Sequence, residues 1–189
     1  LLDACYLAGG FGEPPNAAQQ RFSDGDATKW AERVASITGA KVGAAIHSVR
    51  AVPRDQLDTV VEFAGGRPLH FHVSEQRAEN EACLAAHGLT PVQLLAEHGA
   101  LGQDSTAVHA THLAPTDDLG ETTICMCPTT ERDLADGIGG AGPRLALGSD
   151  LQAVIDLFEV PAAGELNLRA KYEKRGPFPA REPPRAAPN

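Results

Sequence analysis

Pro68-Leu69-His70-Phe71-His72-Val73-Ser74-Glu75 is a short apolar run that ends in polar groups able to hold a metal or move a proton. Alternate side chains of an extended chain share a face, so His70 and His72 project to one side and only His72 lies at the end of the run. Four other runs have the same character, at 41–46, 106–109, 123–127 and 144–148. Each is short and nearly continuous in apolar residues, without clean polar alternation over most of its length, which is how buried parallel strands read.

The segments between these runs have helical character. Thr90-Pro91 reads as an N-cap with proline at the first helical position, Val92, Leu94 and Leu95 supply an apolar face, and Gly99 follows the end. Residues 76–87 are rich in Glu and Ala and run into Gly88, a suitable C-cap. Residues 30–37 suit an amphipathic helix, whereas Gly9-Gly10-Phe11-Gly12-Glu13-Pro14-Pro15 reads as a loop. Strands alternating with helices imply an α/β fold with a parallel sheet. The tail, 176–189, carries five prolines and no apolar periodicity. It is expected to be irregular, leaving residues 1–175 as the organised domain.

A chain of 189 residues suffices for one globular domain with a real core. Its 25 acidic and 16 basic side chains give a net charge of −9 with neutral histidines, which argues against nucleic acid or an anionic membrane as partner. A small-molecule substrate is the expected partner, and a homodimer is compatible with the sequence. No apolar run approaches the length of about 18 residues that a transmembrane helix needs. The N-terminus lacks the basic and apolar regions of a signal peptide, so a cytoplasmic location is expected. The chain starts at Leu1 without an initiator methionine, which reads as a cut inside a longer chain. The four cysteines are expected to be reduced thiols. Cys125 and Cys127 share a strand face, where neighbours rarely bridge, and no second close Cys or His pair has finger-like spacing.

Function enters where the runs end: at His47, at His72 with Glu75, at His109 and at Asp150. One histidine in such a place is most simply a core residue with a satisfied ring. Four of five successive strands ending in such groups is a different matter, because catalytic groups of parallel α/β folds gather at strand C-termini. His72-Val73-Ser74-Glu75 sets an imidazole at the strand end and a carboxylate three residues on, the pair needed to hold a metal and shuttle protons. Ser74 could equally cap the next helix, and so could Asp150. In Val108-His109-Ala110-Thr111-His112 the two imidazoles point to different places, His109 toward the chemistry and His112 toward the surface or a supporting role. His87 and His98 fall near helix C-termini and suit the helix dipole. Arg50, just past a strand end, could grip a carboxylate with its planar fork.

Taken together, Ile46-His47-Ser48-Val49-Arg50-Ala51-Val52, His70-Phe71-His72-Val73-Ser74-Glu75-Gln76, Val108-His109-Ala110-Thr111-His112, Cys127-Pro128-Thr129-Thr130-Glu131 through Asp136-Gly137-Ile138, and Gly148-Ser149-Asp150 resemble the amidohydrolase superfamily. The Cys-Pro-Thr-Thr-Glu and His-Ser-Val-Arg stretches point to its formimidoylglutamate deiminase subgroup. The resemblance covers most of residues 1–165. It implies a partial (β/α)8 TIM-like barrel, about strands three to eight, with the first strands missing. It also implies one divalent metal ion, zinc, with His72 and Asp150 as ligands. Glu75 would act as the acid/base at the departing nitrogen, His109 would polarise the reacting centre, and Asp150 would take the first proton from water. Arg50 and His47 would hold the substrate carboxylates, with Tyr6 assisting.

The implied activity is hydrolysis of N-formimino-L-glutamate to N-formyl-L-glutamate and ammonia, a step of histidine breakdown. Two rivals stand beside it: a deaminase of a ring such as guanine or cytosine, and a non-catalytic truncated barrel.

Overall fold

The computed structural model describes residues 1–150 and 154–177, together with the backbone of Arg185–Ala186. Its strands are β1 (Leu2–Tyr6), β2 (Val42–Ile46), β3 (Leu69–Val73), β4 (Ser105–His109), β5 (Thr123–Met126), β6 (Leu145–Leu147) and β7 (Arg185–Ala186). Its helices are α1 (Ala27–Ala35), α2 (Leu57–Ala64), α3 (Arg77–His87), α4 (Pro91–Glu97), α5 (Pro128–Asp133) and α6 (Glu159–Tyr172). The strands form one sheet in chain order, and every pairing is parallel. This is the expected partial-barrel α/β arrangement. No helix among the described residues is long and apolar enough to cross a membrane.

The sheet has two unlike faces. Tyr6, Ile46, Phe71, Ala107 and Met126 are buried in the main core beneath the helices. The opposite face supplies Asp3, Cys5, His70, Val108, Cys125 and Ala146, which line a single cleft of about 530 Å³. One cleft can be lined from strands β1 to β6 only if the sheet curls around it, as in a barrel wall.

Local chemistry explains the helix ends. Thr90 caps α4 in a full capping box: its hydroxyl accepts the Gln93 N–H at 3.1 Å, and the Gln93 side chain accepts the Thr90 N–H at 3.0 Å. Gly88 closes α3 at φ +70°, a left-handed conformation that costs glycine little. α1 begins three residues ahead of the apolar signal because Asp26 accepts the Lys29 N–H at 2.9 Å. It stops at Ala35, leaving Ile37 outside, where the Ser36 hydroxyl donates to the Arg33 carbonyl.

Some elements depart from the sequence reading. Strand β1 alternates polar and apolar residues and so lacks the continuous apolar run of a central strand. Helix α2 has a narrow stripe of Leu57, Val60 and Ala64 against the core. Helix α6 buries Val160, Ala163 and Leu168. Ser74 does not cap α3: Gln76 is its N-cap, without a side-chain bond, and the Ser74 hydroxyl is buried without a partner among the described residues. In the tail, Arg185–Ala186 pairs with β6 rather than being irregular. Gly176 and Pro177 lie in no helix or strand, and the remainder of the irregular-tail reading, 178–184 and 187–189, lies outside the described residues, as does any helix capped by Asp150.

Trp30 anchors the helical layer. It is fully buried, 5.7 Å from the Tyr6 ring and 5.0 Å from the Phe63 ring, and so joins α1, β1 and α2. Trp30→Ala should cost roughly 3–5 kcal/mol of stability, read as a lower midpoint of urea unfolding by circular dichroism. Truncating exposed Leu134 in the same way should cost far less.

Candidate active site

The expected residues gather at the C-terminal rim of the sheet. His72 ends the inner face of β3. Its Nδ1 lies 2.7 Å from the His47 carbonyl, and its Nε2 lies 3.3 Å from Asp150 Oδ1. His109 reaches the same place by an abrupt turn. Its position in β4 matches that of buried Ala107, which faces the helices, but at φ +70° the strand breaks and the ring swings inward. There it stacks on His72 with ring centres 5.4 Å apart, and its Nε2 lies 3.9 Å from Glu75 Oε1. Ser74, Ala110 and Asp150 are also left-handed at the ends of β3, β4 and β6. Such backbone costs of order 1–3 kcal/mol per residue and tends to collect at functional sites.

His72, His109 and Asp150 each bring one ligand atom within 4.8 Å of the other two. Two imidazole nitrogens and a carboxylate oxygen suit zinc, and three protein ligands leave a position open. The ring orientations agree as well. A carbonyl oxygen and a carboxylate can only accept, so His47 and Glu131 fix protons on Nδ1 of His72 and His109 and turn both Nε2 atoms toward the cluster. The residues present therefore fit a divalent cation.

The electrostatics follow from these contacts. Burial disfavours the His72 imidazolium, but the Asp150 carboxylate and the His47 carbonyl outweigh it and hold its pKa above the ordinary histidine value. The His72 bond holds Asp150 below the usual carboxylate range against partial burial, with the His109 and His72 charges helping. Burial, together with the His72 and Arg50 charges, pulls His47 down to about 4, so that ring is neutral.

Arg50 is engaged inside the site. Its Nη2 donates to Glu75 Oε2 at 2.5 Å, and its Nε lies 3.9 Å from Glu79. Glu79, buried in the first turn of α3, accepts the Glu75 N–H at 3.0 Å. Burial raises its pKa against the opposing pull of Arg50. The His47 ring flanks His72 at 5.3 Å and its Nδ1 meets the Ser48 hydroxyl at 3.2 Å. His112 supports the rim from behind, its Nε2 donating to the Asp136 carbonyl at 2.6 Å. His87 ends α3, and His98, at the C-cap of α4, bonds Asp58.

Tyr6 is a correction. Alternation along β1 turns it toward the helices, where it is fully buried against Trp30 and its hydroxyl donates to Gln56. Burial and the charges of Asp26, Asp24 and Asp55 push that hydroxyl up to about 12. It lies on the wrong side of the sheet to meet a substrate in the cleft.

Glu131 is the residue that sequence reasoning passed over. It is 1% exposed, accepts the Cys127 N–H at 2.8 Å and faces His109 Nδ1 at 3.4 Å. Its neighbour Thr130 donates to the Ser149 carbonyl at 2.8 Å, next to Asp150. The signal was present in Cys127-Pro128-Thr129-Thr130-Glu131, a first helical turn with proline at its start and an acid folded back on the cap.

A family model described as the amidohydrolase family matches residues 9–180, and the chain belongs to that family. It is 33% identical to a formimidoylglutamate deiminase of Pseudomonas aeruginosa over 93% of this chain and 42% of that protein. It is also 36% identical to an 8-oxoguanine deaminase of the same organism, over 47% of this chain and 22% of that protein. An amidohydrolase from Brucella melitensis superposes with a TM-score of 0.81 at 29% identity, over 94% of this chain and 44% of that one. The chain thus spans less than half the length of these relatives.

The Glu131 bond carries a test. In the metal-free chain the His109 proton should reside on Nδ1. Glu131→Gln, which can offer an N–H instead, should shift that tautomer toward Nε2, read from the ring ¹⁵N chemical shifts.

Proposed function

We propose that this chain carries the proton-transferring and metal-holding wall of a zinc-dependent iminohydrolase acting on N-formimino-L-glutamate. The observation that supports it most is the convergence of His72, His109 and Asp150 on one spot, with Glu75 beside His109. Identity to a formimidoylglutamate deiminase over nearly the whole chain supports the substrate.

His72 and Asp150 would hold the cation, and the place of His109 in the same cluster makes it a third donor. A divalent ion there would supply Lewis acidity, lowering the pKa of water toward about 7. Asp150 would take the first proton from the attacking water at the oxygen that now faces His72. Water adds to the C=N carbon. Glu75, 3.9 Å from His109, and Asp150 would then pass both protons of that water to the nitrogen, so that the C–N bond breaks, ammonia leaves and the formyl C=O forms. Glu75 is kept in place by Arg50 and by its own backbone bond to Glu79. His109, shielded from water and oriented by Glu131 through Nδ1, would present Nε2 to the cation. Arg50 has further guanidinium donors for a substrate carboxylate, and neutral His47 lies beside it in the sequence of the same loop.

A second reading, deamination of a ring substrate, has its own support. Arg50 is already paired with Glu75, and the similarity to an 8-oxoguanine deaminase extends over almost half of the chain.

Substrate comparison separates the two. The protein should release ammonia from N-formimino-L-glutamate and not from guanine, 8-oxoguanine or cytosine; the reverse pattern overturns the proposal. Arg50→Met should raise KM for the formimino substrate roughly 10- to 100-fold, the loss of about 1.5–3 kcal/mol expected for a charged hydrogen bond. Elemental analysis should find zinc in proportion to protein and lose it in His72→Asn and Asp150→Asn. A well-folded chain that takes up no zinc would favour the non-catalytic barrel.

A further inference from the structure

We propose that Cys125 and Cys127 form a dithiol site that captures a trivalent arsenical, bonding both sulfurs to one arsenic atom. Their sulfurs converge because alternation along β5 sends both side chains to the inner face of the sheet. Gly148, where the chain leaves β6, keeps the meeting point open. A Cβ placed there would lie 3.1 Å from Cys127 Sγ and 3.2 Å from Cys125 Sγ. Gly148 is not among the residues with positive φ, so room rather than backbone conformation accounts for the glycine. Ala146 and Val108 pack around the two thiols. Cys125 also lines the 530 Å³ cleft, which gives a small reagent a way in.

The chemistry of this pocket favours trivalent arsenic. Soft thiol sulfur suits a soft, polarisable partner. Capture by an organoarsenous oxide follows R–As=O + 2 R′SH → R–As(SR′)2 + H2O. Two As–S bonds form, the As=O bond is replaced, both thiol protons leave in water, and arsenic stays trivalent. No thiolate has to persist in the pocket. That matters because the neighbouring Cys125 thiol, burial, and the nearby Asp150 and Glu131 charges all push the Cys127 thiol up. A bare divalent cation would need both thiols ionised there. A disulfide is disfavoured on separate grounds: residues two apart on an extended strand place their Cα atoms about 6.6 Å apart, at the far end of the bridging range.

The pocket is distinct from the zinc cluster but connected to it. The Cys127 N–H is held by Glu131, which orients His109, so an occupant of the dithiol would press on the brace of the active site from below. The proposal does not depend on which substrate the enzyme takes.

The test uses the intact chain and phenylarsine oxide. Mass spectrometry of the unfragmented protein should show one phenylarsenic adduct formed with loss of one water, and 2,3-dimercaptopropanol should remove it. Cys125→Ala and Cys127→Ala should each weaken binding by at least about 100-fold, since a single thiol loses the effective-concentration gain of the pair. Gly148→Ala keeps both thiols, fills the space between them, and should weaken capture too. The Cys5→Ala/Cys83→Ala double variant should bind like the unaltered chain. No adduct on the folded chain, an adduct that survives either single Cys→Ala change, or one lost in the Cys5/Cys83 variant would overturn the proposal.

Discussion

A parallel ladder makes every strand leave the sheet at the same rim, and this one directional constraint assembles the site. His72, Glu75, His109 and Asp150 come from segments scattered over almost half of the chain, yet each needs only to lie at or just past the end of its strand. Pairing of His72 with Val108 and of Val73 with His109 then fixes how far β3 and β4 are offset, and with it the separation of the two imidazoles. A slip of one residue would turn His72 toward the helices and bring Val73 into the cleft. The burial of Phe71 and Val73 against the core opposes that slip, so the packing of one face holds the chemistry of the other in register.

The site costs the fold something. Glu75, Glu79, Glu131 and Asp136 are all buried near the rim, in a chain that is already acidic. Burying a carboxylate carries a penalty of several kcal/mol unless charge and hydrogen bonds compensate. Arg50 offsets part of it for Glu75 and Glu79, backbone N–H groups offset more, yet Glu79 Oε1, Glu131 Oε2 and Asp136 Oδ2 have no hydrogen-bond partner among the described residues. Left-handed backbone at Ser74, His109 and Asp150 adds strain in the same region. Stability alone does not explain these features. A cation bound only by the folded chain would also return stability by linkage.

Legibility in the sequence followed physical range. Strands β2 to β6 could be read because each is an apolar run, and the ends of those runs exposed His72, His109 and Asp150 directly. Local chemistry was equally visible at Thr90 and Gly88, where cap and helix lie within one turn. Tyr6 was misplaced because its role came only from the family resemblance, and parity along β1 does not say which face meets the helices. At an edge strand with mixed polarity, neighbouring apolar residues do not settle that either. His109 shows the converse: parity alone would have put it in the core, and only the positive φ brings it round. Glu131 was hidden for a further reason. Its partner His109 lies 22 residues away, and no spacing in a single sequence records a contact of that kind.

Helix α5 explains why so short an element can matter so much. It has six residues, too few to be stable by itself, so its position must come from its contacts. Arg132 ties it to Glu159 of α6 at 3.0 Å, and the remaining contacts bear on the site. Proline starts the helix just past β5, Glu131 folds back to the Cys127 N–H and reaches His109, and Thr130 holds the Ser149 carbonyl beside Asp150. One turn of helix therefore braces two of the three candidate ligands, and the third, His72, is fixed by the His47 carbonyl from the neighbouring strand end. Supporting bonds of this kind set ring orientation and hence which nitrogen is available. Any change that shifts the start of α5 must move His109 and Asp150 together, because both are tied to adjacent residues of the same rigid turn.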